Sequence, residues 1–496
     1  MSTPVFAMHG RRLFYKPEPV NRKFILNIIF LIAINLLIKP FWFFGIEVAV
    51  QNRLGNELYG LYASLMSFSI LFNIFLDLGV TNFNNRELAR HNHLLTKYLS
   101  SIIGIKLIFA AIYTVLCIVI GIIAGYETKQ ISILLFLVLN QVLSSLILYL
   151  RSNINALMKF ITDSILSVLD KLLMIIILSI LLWGINTPFK LEWFVLSQTA
   201  SFLITAIVAA VIVFSNTISF KLRFDYHHML VIIKKSLPFS LLVLLMSFYN
   251  RMEPILLERL LVNGKEQAGL YAQGFRILEV FSNFALLFTV ILLPIFSKML
   301  KEKEDTSNLV SLAFSILMIP VIVVSLTGYA YRSELMTLMY HQPGNSNILG
   351  TIIIGFIGIS LTYIYGTLLT AAGKLKELNI MAASAVVINI SLNLILIPGF
   401  EAQGAAIASC TTQILTGIVQ TIMAARILKL KKDKNILMRF AVWLFSFIII
   451  LFLAKTFVSN WIFAGLVSVL LAFLFAFIFK AVHIKEIIKI AVSKES

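Results

Sequence analysis

The chain has 496 residues, 59% of them hydrophobic and 13% charged, with a mean hydropathy of +0.95. Soluble domains carry about 25% charged residues, so this composition excludes a soluble enzyme and reads as an integral membrane protein. The two cysteines, Cys117 and Cys410, lie in apolar runs, which argues against a disulfide framework or a zinc site, and the net charge of +18 must be explained by where the basic residues fall.

Apolar runs of about 20 residues predict membrane-spanning helices. Residues 1–23 are polar and basic, and no cleavable leader is expected there because the first span is too long for a signal segment. Spans then follow near Phe24–Val50, Leu58–Phe83, Leu99–Ala124, Ile131–Leu150, Ile165–Trp183 and Leu191–Phe214. After a basic stretch come Pro238–Leu261, Gly269–Phe296, Leu309–Tyr329, Leu349–Ala371, Leu378–Ile397 and Gly404–Ile427, and a last pair at Ile436–Phe457 and Trp461–Val482. The predicted fold is all-α and polytopic, with about fourteen helices. Its organisation is a basic N-terminus (1–23), a six-helix lobe (24–216), a linker (217–235), a second six-helix lobe (236–428), a terminal helix pair (429–482) and a tail (483–496).

Fourteen spans put both termini on one side. That side collects Arg11, Arg12, Arg22, Lys23, Arg86, Arg90, Lys97, Lys234, Lys235, Lys298, Lys374 and the basic residues between Arg426 and Arg439. The opposite loops hold little beyond Arg53, Lys129, Lys190, Arg259, Lys265, Arg332 and Lys455. By the positive-inside rule the termini are expected in the cytoplasm, and the excess charge is an orientation signal rather than a nucleic-acid footprint.

The chain also repeats itself. LGNELYGLYA at Leu54–Ala63 recurs as NGKEQAGLYA at Asn263–Ala272, a spacing of 209 residues, each copy between two long apolar runs. Two similar helical bundles that rock about a site held between them are a transporter's architecture. Pro40, Pro254 and Pro320 fall within spans, where the carbonyls they free need neighbours or cavity water.

Several motifs together carry a resemblance. LGNELYGLY, LDLGV at Leu76–Val80 and RELAR at Arg86–Arg90 are followed by NRMEPILLERLL at Asn250–Leu261, GLYAQGFRILE at Gly269–Glu279 and LLPIFSK at Leu292–Lys298. With the segments between Ala371 and Ser409, this set resembles the O-antigen and polysaccharide flippase branch of the multidrug/oligosaccharidyl-lipid/polysaccharide exporter superfamily, over residues 24–430. The resemblance implies two six-helix lobes plus a helix pair. It also implies movement of an undecaprenyl-diphosphate-linked oligosaccharide across the bacterial cytoplasmic membrane, with the lipid-linked glycan and membrane lipids as partners and a polysaccharide polymerase complex as a further one.

Charges inside spans are functional suspects. Lys39 and Arg251 lie about 22 Å from the basic ends of equivalent helices, and with Arg276 they could form a cationic clamp for a diphosphate. Arg276 and Glu279, three apart, could instead neutralise one another. Arg251 and Glu253 point to different faces, so Arg251 needs a partner from elsewhere. Glu47, Glu253 and Glu279 are candidates for coupling to H+ or Na+; no other cofactor and no metal site is expected. Asp77, Arg86 and Arg90 read as a cytoplasmic gate or anchor. Asn389 and Asn393, four apart, could bond across helices or touch sugar hydroxyls, and GAAIAS at Gly404–Ser409 reads as close helix packing. No HExxH, GxSxG or Walker motif occurs, so neither hydrolysis nor direct use of ATP is expected. The leading expectation is a lipid-linked oligosaccharide flippase and not an enzyme. The alternatives are a multidrug or cation antiporter of the same superfamily, and a membrane polysaccharide polymerase.

Overall fold

The computed structural model describes residues 34–35, 37–81, 84, 95–157, 159–217, 226–341, 345–431 and 434–481. Arg86 and Arg90 lie outside the described residues. Lipid offers no hydrogen bonds to the backbone, so a chain this apolar must satisfy its peptide groups within helices, and the described residues contain no strand. Eleven of the helices are long and apolar enough to cross a membrane. The protein is an all-α, multi-pass membrane protein.

Two of the continuous helices are folded back on themselves. Val48–Leu71 breaks at Gly55 (φ 74°, ψ 172°), a conformation open to glycine. The arm before the break is α1 (residues 37–54) and the arm after it α2 (residues 56–71). Leu375–Ile427, 53 residues long, reverses at Glu401 (φ 49°, ψ −133°) into α11 (residues 375–400) and α12 (residues 402–427). The strained Glu401 turn is held by Gln267, whose Oε1 accepts from Ala402 N (3.2 Å), and by Asn263, whose Nδ2 donates to Glu401 Oε1 (3.3 Å).

Between them run α3 (Leu95–Ile123), α4 (Thr128–Ala156), α5 (Phe160–Trp183), α6 (Leu191–Phe214), α7 (Tyr226–Leu260), α8 (Gly264–Lys301), α9 (Ser307–Ala330) and α10 (Ser346–Ala371). A short helix, Arg332–Tyr340, precedes α10. The chain ends in α13 (Lys434–Phe457) and α14 (Trp461–Ile478). Over the described residues the order of spans is reproduced with shifts at two of them: the second span, expected to Phe83, ends at Leu71 before a 3-10 turn, and α7 begins at Tyr226 rather than Pro238, so the second half of the expected linker is helical.

Packing inside the lobes relies on small residues, because lipid tails are as apolar as leucine and helices gain by close approach. Gly404, first of GAAIAS, lies against the Leu396 carbonyl, and Gly358 of α10 against the Gln413 carbonyl of α12, so that a methyl group at either would collide with backbone. The α13–α14 hairpin docks on α9 through Phe314 and Phe440 (ring centroids 5.1 Å apart), and is tied internally by the Trp443 indole donating to Ala472 O (2.9 Å). Two π-helical stretches interrupt the regular ladder. One, Phe41–Glu47, follows Pro40; the other, Thr362–Gly366, lies within α10.

Candidate interlobe site

The repeated hairpins meet each other. A Cβ on Gly60 of α2 would run into the Lys265 carbonyl of α8, and a Cβ on Gly269 into the Asn56 carbonyl, so the two copies of the GLYA motif supply glycines exactly where two backbones cross. Around that crossing Gln51 Nε2 donates to Gly269 O (3.4 Å) and Gln273 Nε2 to Asn56 Oδ1 (2.9 Å). Glu258 at the end of α7 accepts from Ser64 Oγ (2.9 Å) and Gln130 Nε2 (2.8 Å), and Arg259 stacks 4.0 Å over the Tyr126 ring. Asn52 Nδ2 reaches Met339 O of the short helix (2.8 Å). Ile255 and Ala272 of the second lobe are buried within the core of the first. The lobes are therefore closed on the face that carries the Gly55 turn.

Beneath this closure, roughly 12–22 Å in at 1.5 Å per residue, lies a chain of charges. Arg276 Nε is 3.1 Å from Glu47 Oε1 in the other lobe and donates to Tyr59 Oη (3.2 Å), while Tyr59 donates to the same Glu47 oxygen (2.9 Å). On its other side Arg276 Nη1 meets Glu279 Oε2 (2.5 Å), and Glu279 Oε1 takes Arg251 Nη2 (2.6 Å). Two arginines and two carboxylates thus cancel one another across the lobe boundary. The expected pairing of Arg276 with Glu279 is present, and Arg251 finds the outside partner that its separation from Glu253 demands.

Arg251 and Glu279 also line a cavity of about 390 Å³ with Ser247, Asn250, Phe275 and Tyr363, and Ile70 of the first lobe contributes to its wall. The guanidinium lies 5.1 Å from the Phe275 ring centroid. Lys39 and Arg276 do not line this cavity. Lys39 is exposed, one turn beyond Asn35, which is bonded to Ser167 of α5 (3.1 Å), and Arg276 is committed to the lobe boundary. The expected three-cation clamp is not assembled in this conformation, because the carboxylates proposed for ion coupling hold two of its members.

Glu253 is different. It is fully buried, with Asn389 Nδ2 on Oε1 (3.0 Å) and no partner for Oε2 among the described residues. Asn389 also reaches Thr412 Oγ1 (3.3 Å), and Asn393 Nδ2 bonds Asn389 O (2.9 Å), leaving Asn393 Oδ1 unpartnered. Asn389 thus bonds across helices to a buried carboxyl group, with Asn393 bonded to it from one turn on.

Residues 24–300 match the polysaccharide biosynthesis protein family, more than half of the chain. The chain belongs to this family. Among solved structures it is similar to the lipid II flippase MurJ in an inward closed conformation, at 16% identity over 93% of this chain and 100% of that one (TM-score 0.68). An inward-facing multidrug resistance MATE family transporter of the MOP superfamily aligns at 14% identity over 82% and 98% of the two chains (TM-score 0.60). The Vibrio cholerae MATE transporter VcmN, as its D35N mutant, aligns at 15% over 81% and 98% (TM-score 0.55). Among curated protein sequences none matches. These likenesses show that this family member shares the fold of those structures.

Toward the basic face, Asp77 of the LDLGV motif sits after the 3-10 turn Asn73–Leu76 and pairs with Lys106 of α3 (2.7 Å). It also accepts from Thr81 N (3.2 Å) and the Thr81 hydroxyl, and Lys106 donates to Ser145 Oγ (2.9 Å). Asp77 therefore ties α2, α3 and α4 together within the first lobe. Lys106, buried inside a span, is a functional suspect by the same charge rule that marks Lys39. Tyr59, Gln51 and Gln273 carry no comparable sequence signal, since uncharged polar side chains are common in helix hairpins.

Proposed function

We propose that the protein is a flippase that moves a polyprenyl-diphosphate-linked oligosaccharide, an O-antigen or related surface-polysaccharide unit, across the bacterial cytoplasmic membrane by alternating access, with both termini cytoplasmic. The observation that carries this reading is Arg251: a guanidinium at membrane depth on the wall of a cavity between lobes that are latched on one face. Among the described residues its side chain bonds only Glu279, through Nη2, and Arg251 lines the cavity, so its remaining donors would be available to two phosphate oxygens there. A diphosphate crossing lipid without such a partner meets a desolvation cost of several kcal/mol per charge. Membership of the polysaccharide biosynthesis family supports the same reading. The basic loops would orient the side away from the Gly55 closure toward the cytoplasm, and a lateral opening between lobes during the cycle would let the polyprenyl tail stay in lipid.

Of the three carboxylates considered for ion coupling, Glu47 and Glu279 are neutralised by arginine. Glu253 is left as the group that takes up H+ or Na+, with Asn393 Oδ1 and Thr412 Oγ1 as the neighbouring oxygens. The test of the function is depletion of the protein, followed by mass spectrometry of the polyprenyl-diphosphate lipids. Accumulation of a lipid-linked glycan is expected. An unchanged lipid pool together with loss of cationic drug efflux would favour the antiporter instead.

A further inference from the structure

The Arg251 cavity has a neighbour. Ile70 of α2 lines that cavity; α2 ends at Leu71, Phe72 packs edge-on against Phe248 of α7 (ring centroids 6.3 Å apart), and Asn73, first residue of the 3-10 turn that follows, opens a second pocket of about 400 Å³. This pocket lies wholly within the first lobe, between the turn after α2, α4 and the start of α5. Its lining is polar, although 59% of the chain is hydrophobic: Asn73, Gln141, Ser144, Ser152 and Asn155 contribute amides and hydroxyls.

The charged groups of the pocket are neutralised in place. Asp77 is matched by Lys106, and Arg151 lies against Asp163 through two contacts, Nε–Oδ1 at 2.7 Å and Nη2–Oδ2 at 3.3 Å. What remains on offer is neutral. Ser144 and Asn155 make no side-chain hydrogen bond among the described residues, and the Asn73 amide spends one donor on Gln141 Oε1 (3.2 Å). Among the described residues an anion entering here finds no unpaired cation and a cation finds no unpaired carboxylate, and an apolar tail would strand the amides without partners. Sugar hydroxyls, each both donor and acceptor, match amides and serine hydroxyls that can do the same. The volume falls within the roughly 300–1,000 Å³ typical of ligand sites.

We propose that this first-lobe pocket is a saccharide subsite, which binds uncharged sugar units of the glycan whose diphosphate lies at Arg251. The proposal rests on the flippase reading and adds to it the place and polarity of the glycan site. It follows from adjacency: the end of α2 lies against α7 through Phe72 and Phe248, so with the diphosphate at Arg251 the first sugars leave the 390 Å³ cavity past Ile70 and the end of α2 and meet Asn73, then Gln141.

The test uses the full-length protein in nanodiscs and two probes, geranylgeranyl diphosphate and the same lipid carrying chitobiose on its distal phosphate. Wild-type protein binds the glycosylated probe at least about fivefold more tightly, the scale of one hydrogen bond. Asn155→Ala, at an exposed position that the fold tolerates, weakens only that probe by about three- to fivefold, and Gln141→Ala with Asn155→Ala by about tenfold. Arg251→Ala weakens both probes. Equal wild-type binding of the two probes, or equal weakening of both by the pocket substitutions, overturns the subsite while leaving the diphosphate site intact. Failure of wild-type protein to bind either probe overturns the diphosphate reading and the subsite with it.

Discussion

The crossing of the two repeats makes Gly269→Ala a selective strike at one conformation. The added methyl group would fall on the Asn56 carbonyl oxygen, 2.7 Å from the carbonyl carbon and 2.9 Å from Cα. All three atoms are backbone, so no rotamer change relieves the clash. Overpacking of this kind costs about 1–3 kcal/mol. The penalty acts only while the lobes are closed on the Gly55 face, so the population open on that face rises about 5- to 140-fold at about 1.4 kcal/mol per decade. Ala272, buried at 4% exposure in the shared core, is the reporter. With Cys117→Ser and Cys410→Ser removing the native thiols, an Ala272→Cys protein is labelled in whole cells with a membrane-impermeant maleimide. Labelling is expected to accelerate by that factor in Gly269→Ala and to stay at the basal rate in Gly399→Ala, where nothing lies within 4 Å of the new methyl group. Equal labelling in the two variants would refute the claim that this crossing is the closure.

Other perturbations separate the remaining parts. Arg251→Glu, at matched abundance in the membrane, abolishes glycan export, whereas Arg251→Lys retains part of it if a point charge suffices; normal export by the reversal removes Arg251 from the site. Glu253→Gln keeps the shape of the buried cluster but cannot change charge, so export loses its dependence on the H+ or Na+ gradient; an unaltered ion dependence, measured in proteoliposomes, moves coupling elsewhere. Cysteines replacing Asn56 and Lys265, whose backbones sit at the crossing, trap the protein closed when oxidised, and full transport through an efficiently cross-linked protein rules out that gate.

Local features of this fold are written in the chain, and its tertiary pairings are not. Helix order follows from run length, and the meeting of the lobes from a ten-residue motif that occurs twice. The reach of Arg251 beyond its own helix is legible too, because residues two apart on a helix diverge by about 200°. The bond from Arg276 to Glu47 is not, since the two are 229 residues apart and no periodicity connects them. For the same reason Lys39, Arg251 and Arg276 read as one cationic clamp: depth along a helix can be counted from sequence, but which carboxylate turns toward which arginine depends on the rotation of packed helices. Asn389 and Asn393 illustrate the remaining ambiguity, because an i, i+4 amide pair suits a sugar and a buried glutamate equally well until Glu253 is placed beside it.

Glu279 links the cavity to the closure, because each of its oxygens holds a different arginine: Oε1 takes Arg251 on the cavity wall and Oε2 takes Arg276 at the lobe boundary. A diphosphate that captures Arg251 competes with Oε1, and the released carboxylate then has Arg276 as its remaining partner, which draws Arg276 away from Glu47 and loosens the bond between lobes. Glu279→Gln separates the two halves of that argument. Arg276 keeps Glu47 and Tyr59, so the closure survives, while Arg251 loses its competing anion and is unmasked. Binding of geranylgeranyl diphosphate should therefore tighten, by about tenfold if one charged hydrogen bond of about 1.5 kcal/mol no longer competes. Export should fall, because occupancy no longer reaches Arg276. Tighter binding with slower transport is an outcome that a merely structural carboxylate would not produce. Loss of binding and transport together would mean that Glu279 serves only to hold the helices in place, and that the closure is opened by something other than the substrate's charge.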